Sequence, residues 1–322
     1  MTQRGQQRGV ALIMAILMVA LAAILAVKVG FDAYLDYRRA STIYSLDQGF
    51  EVAVGAEAWA ADFLAADFNA NKTHTHLGQK WATQLPPFPI DNGELIGRLE
   101  DMQGRFNLNN LLPAPGGSDP NAPPSNKSYV EQFKRLLELA EVEPMWAEKI
   151  VDWIDADNVE SFPDGAEDNA YSAEAPPYLA ANMPITRVSE LLALKDFGLE
   201  RYRKLEPLVS ALPVGTKLNL CTAPSLVLDS FAYASKLTQY SVTPQAVTQQ
   251  RGSSCWPLYT DLEKNLNDDE KAHAQPRVGT MSEHFRGTIV VTIGTNQFTL
   301  YSHLVRNSSG QVRASTRSFG TS

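Results

Sequence analysis

The amino-acid sequence predicts an α+β fold in which a long N-terminal helix packs on an antiparallel sheet, with a large, mostly helical domain inserted between the parts that build the sheet. Three observations carry this expectation. No proline precedes Pro86, and apolar residues recur at steps of three and four along the early chain. The last forty residues hold β-branched runs separated by turn residues. Between these regions, beyond a Pro-, Gly- and Ser-rich stretch at 113–125, the helical spacing returns.

The N-terminal helix begins in an apolar run. From Val10 to Val27 there are eighteen residues without a charge, preceded by Arg4 and Arg8 and followed by Lys28. A helix of that length spans roughly 27 Å, close to the hydrocarbon thickness of a bilayer. The two arginines on its N-terminal side place that side in the cytoplasm, so the remainder of the chain is expected outside it. An ordinary secretory signal is the alternative, with Ala22-Ala23 and Ala26 imitating its cleavage motif. The glycine at position 9, directly before the apolar run, and the helical pattern beyond Lys28 argue against it. That pattern is Ile43, Leu46, Phe50, Val54, Ala58, Ala61 and Leu64, one face of an amphipathic helix. Gly30, Gly49 and Gly55 each weaken a helix by about 1 kcal/mol relative to alanine, which makes bending there an expectation.

Residues 69–91 are polar and proline-broken and read as a loop. Its His74 and His76 stand two apart, a spacing more usual for solvated surface than for a metal site. Residues 94–101 alternate as a strand. Past the linker at 113–125, Ser128-Tyr129-Val130-Glu131 has the form of a capping box ahead of Phe133, Leu136 and Leu137, and Pro144 suits the first turn of a helix through Trp146, Ile150 and Trp153. A pair of short helices is expected around Gly198. They resemble a helix-hairpin-helix, but the acidic surroundings speak against DNA. Residues 288–293, 297–305 and 311–317 read as a three-stranded antiparallel meander with turns at 294–296 and 307–310.

Charge narrows the function. Lys and Arg number 28 against 36 Asp and Glu, for a net charge of -8, which disfavours nucleic acid. Acid is concentrated: between Ile150 and Thr186 there are eight Asp or Glu and no Lys or Arg. Clustered carboxylates repel each other unless a cation lies among them, and all-oxygen sites suit Ca²⁺ better than zinc or copper. The block is not an EF-hand, since counting from Asp155 the sixth position is Glu160 and the twelfth is Ala166. Paired carboxylates near Trp153 and Tyr171 could instead serve a hydrolase, yet no nucleophile elbow, Ser/His/Asp pattern or phosphate loop accompanies them. The only cysteines, Cys221 and Cys255, lie in the part expected outside the cytoplasm. There they either stay unpaired or form a disulfide contributing about 2 to 4 kcal/mol.

The short basic leader ending in Gly9 and followed by an apolar helix resembles the type IV prepilin class. The resemblance implies a type IV pilin-like fold, cleavage by prepilin peptidase between Gly9 and Val10, and a methylated new terminus. The class has a glutamate five residues into the mature chain; Met14 occupies that position here. Residues 151–157 (Val-Asp-Trp-Ile-Asp-Ala-Asp), Asp164 to Asp168, Pro176-Pro177-Tyr178, Ala181-Asn182, Val188 to Leu191 and Asn219 to Pro224 closely resemble the protein K family of minor pseudopilins of type II secretion. That resemblance implies no enzymatic activity and an anchor in the inner membrane with the bulk of the chain in the periplasm. It also implies partnership with minor pseudopilins I and J in a tip complex, and calcium held by Asp155, Asp157, Glu167 and Asp168. The domains expected are a leader at 1–9, a transmembrane part at 10–28, a core at 29–110, a helical insertion at 111–220 and the C-terminal sheet at 221–322. A type IV pilus minor pilin and a membrane-anchored periplasmic hydrolase are the alternatives.

Overall fold

The structure, a computed structural model, describes residues 8–112, 126–234, 244–252 and 254–320. Most of the leader and the linker at 113–125 lie outside the described residues. Helix α1, Arg8–Ala70, runs 63 residues without interruption. At about 1.5 Å per residue it is roughly 95 Å long. The uncharged segment from Val10 to Val27 is exposed throughout, and by length and composition it is long and apolar enough to cross a membrane. The three glycines do not break the helix. Gly49 instead permits close approach to the sheet: a Cβ there would lie 3.2 Å from Phe298.

The second half of α1 is held by a five-stranded sheet. Its strands are β1 (Phe88–Ile90), β2 (Gly93–Asp101), β7 (His284–Ile293), β8 (Asn296–Arg306) and β9 (Val312–Phe319), in that spatial order and antiparallel throughout. The meander is therefore completed by two early strands, which the long insertion separates from it in sequence. Alternation puts Leu95, Ile289, Val291, Ile293 and Leu300 on the face that meets Ala53, while Phe285 and Leu304 meet Leu64 and Trp81. Within this interface Glu57 is only 6% exposed. Its carboxylate receives two N–H bonds from Arg317, at 2.7 and 2.8 Å, and the Ser302 hydroxyl, so the buried charge is compensated.

The insertion is a helical unit. In chain order it contains β3 (Phe106–Asn107), α2 (Lys127–Leu139), α3 (Trp146–Ile154), α4 (Asp168–Tyr171), α5 (Gly198–Leu205), β4 (Val209–Ser210), β5 (Leu218–Asn219), α6 (Ser225–Asp229), α7 (Pro244–Arg251), α8 (Tyr259–Leu262), α9 (Asp268–Ala274) and β6 (Val278–Gly279). One apolar core runs from Phe106 through Phe133, Ile150 and Leu205 to Val278. The described residues between 221 and 278, assigned with the C-terminal sheet on sequence grounds, thus join the helical unit: Val227, Phe231, Leu262 and Ala274 pack in its core. The expected capping box is also absent. Helix α2 starts at Lys127 with no side-chain cap, and the Ser128 hydroxyl instead accepts from Arg277. Of the paired short helices, the first is a 3-10 segment, Val188–Ala193, and Gly198 (φ +76°) opens the second, α5.

Cys221 and Cys255 are bonded, tying the start of α6 to the segment after α7. Arg251, buried beside this link, donates to the carbonyls of Leu220, Ala223 and Trp256. Where the helical unit meets the sheet, Asp101 at the end of β2 forms a node. Its Oδ2 accepts from the hydroxyls of Thr222 and Ser282, each at 2.6 Å, and from Asn219 Nδ2 at 3.0 Å, while Oδ1 accepts from the Gln103 amide at 2.8 Å. A second contact between the units is ionic, with Arg286 on β7 bridging Glu100 of β2 (2.6 Å) and Glu206 after α5 (3.4 Å).

Candidate metal centre

The acidic block is shaped by Asp152. It lies on the last turn of α3, whose apolar face carries Ile150, Trp153 and Ile154 into the core, and it is fully buried. Its carboxylate accepts the N–H of Ser161 (3.1 and 3.2 Å) and of Ala166 (2.7 Å), folding residues 155–167 back over the helix end. The fold-back requires a glycine at 165. A Cβ there would lie 2.2 Å from Asp152 Oδ2 and 2.4 Å from the Ser161 nitrogen.

The two ends of this loop thereby meet. Oxygen atoms of Asp155, Asp157 and Glu167 come within 4.8 Å of one another. Glu167 is 2% exposed, yet neither of its carboxylate oxygens has a hydrogen-bond partner, and Asp155 Oδ1 has none either. Buried polar atoms are ordinarily satisfied, so the unpartnered oxygens of Glu167 and Asp155, on two residues of this group, mark a place that a positive ligand would fit. Asp157 spends one oxygen on the Val159 amide at 2.9 Å. Asp168, the fourth expected ligand, stands apart from the group: its Oδ1 accepts the Ala180 N–H at 3.0 Å.

Asn182 is tied to this loop. Its amide N–H bonds the Trp153 carbonyl (3.0 Å), its Nδ2 donates to Asn158 Oδ1 (2.8 Å), and its own buried Oδ1 is unpartnered. Asn182 has φ +47°, a left-handed backbone that asparagine tolerates better than most residues. Burial and the neighbouring carboxylates of Asp157 and Asp152 lift Asp155 to about 6. Burial, then Asp152, Asp155, Asp157 and Asp168, lift Glu167 to about 7. The donors are all oxygen and carry three potential negative charges, which fits a hard divalent cation of the calcium kind.

The other sites expected from the sequence lie elsewhere. Gly9 and Val10 sit in the exposed first turn of α1, and Met14, one turn further on, is exposed as well. His74 turns to the Thr73 hydroxyl, and His76 accepts from the Gly78 amide.

Residues 104–214 match the family model for type II secretion system (T2SS), protein K. The chain is 33% identical to the type II secretion system protein K of Pseudomonas aeruginosa, with 98% of this chain and 94% of that protein covered. It is 31% identical to the protein of that name from Klebsiella pneumoniae, with 91% and 90% covered. Among solved structures, the GspK-GspI-GspJ complex of the enterotoxigenic Escherichia coli type 2 secretion system contains a chain that superposes with a TM-score of 0.74 at 25% identity, covering 88% of this chain and all of that one.

Proposed function

The chain belongs to the protein K family of the type II secretion system, a minor pseudopilin, and from this premise we propose that it joins the I and J minor pseudopilins in a ternary complex at the tip of the periplasmic pseudopilus. The observation that carries this is α1 together with what it bears. The uncharged, exposed run from Val10 to Val27 suits an inner-membrane anchor, and the second half of α1 holds the sheet that bears the bulky helical unit. A subunit inside a shaft would need its neighbours to accommodate that unit. It would also need a partner for the amine ahead of it, and Met14 offers none. Both features suit a subunit with nothing ahead of it.

The role is one of assembly rather than catalysis. On this reading prepilin peptidase cuts after Gly9 and Val10 becomes the methylated terminus. Asp155, Asp157 and Glu167 would hold Ca²⁺, whose charge offsets their mutual repulsion; Asp152 and Gly165 fix the loop that presents them. Asp168 acts beside the site by holding the Ala180 amide.

The test is co-purification of the full chain expressed with I and J of the same system. A stable complex containing one copy of each is the expected result. Recovery of the chain alone, with I and J paired without it, would remove the tip assignment.

A further inference from the structure

A cleft of about 870 Å³ opens where the end of α1, the sheet and the helical unit meet. Phe68 and Lys72 line it from the end of α1 and just beyond, His284 and Arg306 from β7 and β8, and Lys217 from the segment leading into β5. Charge sets this place apart. The chain as a whole carries -8, yet Lys72, Lys217 and Arg306 line the cleft against the single carboxylate of Glu283. None of the three cations has an ion pair among the described residues. His284, the remaining titratable group on the cleft, is kept neutral by burial, which pushes its imidazole down.

Arg306 is the fixed part of the site. It is 4% exposed, and its guanidinium lies over the Phe68 ring at 4.5 Å and the Phe285 ring at 5.5 Å. Its Nη2 donates to the Thr75 hydroxyl at 3.2 Å and to the Ser282 carbonyl, while Nε and Nη1 have no acceptor among the described residues. Arg251, buried in the helical unit, shows the contrast: its Nε and Nη2 serve three carbonyls. Asp101 acts on Arg306 through its charge, but its oxygens already accept from four other donors. Burial pulls Arg306 below the ordinary arginine range, as for a buried charge that its neighbours offset incompletely. Unused guanidinium N–H groups flanked by ammonium charges are suited to an oxyanion.

We propose that this cleft binds a soluble phosphate monoester, its phosphate on Arg306 and flanked by Lys72 and Lys217. Three cations against one carboxylate suit a dianion better than a lone carboxylate, and a phosphate monoester carries about -1.5 to -2 near pH 7 with three acceptor oxygens. The volume is that of a small-molecule site, so the phosphate is borne on a larger group. Measured along α1, the cleft lies roughly 60 Å beyond Val27, out of reach of the lipid headgroups around the anchor. A ligand there braces α1, the sheet and the helical unit where they join. The inference does not depend on the partner reading above, and its failure would leave that reading intact.

The experiment titrates the full chain, in a neutral detergent and calcium-free buffer, with glycerol 3-phosphate and follows heat and Tm. Saturable binding with a raised Tm is expected, and acetate should bind at least tenfold more weakly. Lys72 and Lys217 are exposed, so Lys72→Gln combined with Lys217→Gln should leave the Tm of the free chain unchanged and weaken glycerol 3-phosphate at least tenfold. Arg306→Gln is expected to abolish binding; because it also removes buried contacts, the lysine double variant decides. No saturable binding by the parent chain would overturn the proposal. So would binding by the double variant within twofold of the parent, which would mark an adventitious ion only, or acetate binding as tightly as the phosphate. Tighter binding of the diester glycerophosphoglycerol would make a phospholipid headgroup the occupant and contradict the proposal equally.

Discussion

In calcium-free buffer at about pH 8, Glu167→Gln is expected to melt at a higher temperature than the parent chain, and to lose most of the stabilisation that calcium gives. Lifting a carboxyl from its ordinary 4.5 to about 7 means that its ionised form is disfavoured in the folded state, by on the order of 3 kcal/mol. The sign follows from proton binding. With both acids raised, the folded chain holds more protons than the unfolded one, so their contribution is full at low pH and is lost as pH rises through about 6 for Asp155 and about 7 for Glu167. Calcium reverses the balance by pairing the ionised forms. At a hundredfold excess over its dissociation constant it adds about 2.7 kcal/mol. The calcium-induced rise in Tm should therefore be large at about pH 8 and small at about pH 5. Thermal melts of parent and variant with calcium and with chelator check this; a calcium response equal in both chains would exclude Glu167 as a ligand.

Asp101→Ala should give the largest loss of stability. The substitution strips the acceptor from the Thr222 and Ser282 hydroxyls, Asn219 Nδ2 and the Gln103 amide at the junction of sheet and helical unit. Orphaned buried donors cost about 1 to 3 kcal/mol each, and the hydroxyls can re-aim, so a loss of about 3 kcal/mol or more is expected. Thr222→Val, removing one donor and leaving the acceptor well served, should cost about 1 kcal/mol. Denaturant titration distinguishes the two; equal losses would mean that Asp101 is not the centre of the node.

Where the sequence carried a strong period, the fold was legible. The spacing gave the helix beyond Lys28 and placed Leu64 inside, but Ile43 and Leu46 are 68% and 41% exposed and it is Ala53 and Glu57 that meet the sheet. Alternation in β2 and β8 and the β-branched run in β7 gave the strands. Short elements were not. Strand β1 is three residues in a proline-rich segment, possible because it is an edge strand whose Pro89 need not donate to a further neighbour. Helices α6 to α9, four to eight residues each, show too few turns for a period, so their membership of the helical core was hidden. Ser128 had the sequence of a cap and the surroundings of a partner for Arg277, 149 residues away.

The metal centre divides along the same line. Asp155, Asp157 and Glu167 are close in sequence and meet through a local fold-back. Asp168 is diverted by an amide twelve residues ahead, and no local pattern announces that. Asp152 could have been found: a carboxylate among the apolar residues of α3 must be buried, and a buried carboxylate needs donors. Asn182 is set by bonds to Trp153 and Asn158 that only the folded chain supplies.

The measurement that bears most directly on the pseudopilin assignment is the intact mass and N-terminal sequence of the chain from cells with and without prepilin peptidase. A chain beginning at a methylated Val10 only when the peptidase is present is the expected result. A start near Ala23 or Lys28, independent of the peptidase, would mark a secreted protein that has lost its anchor, and the tip assignment would be contradicted with it.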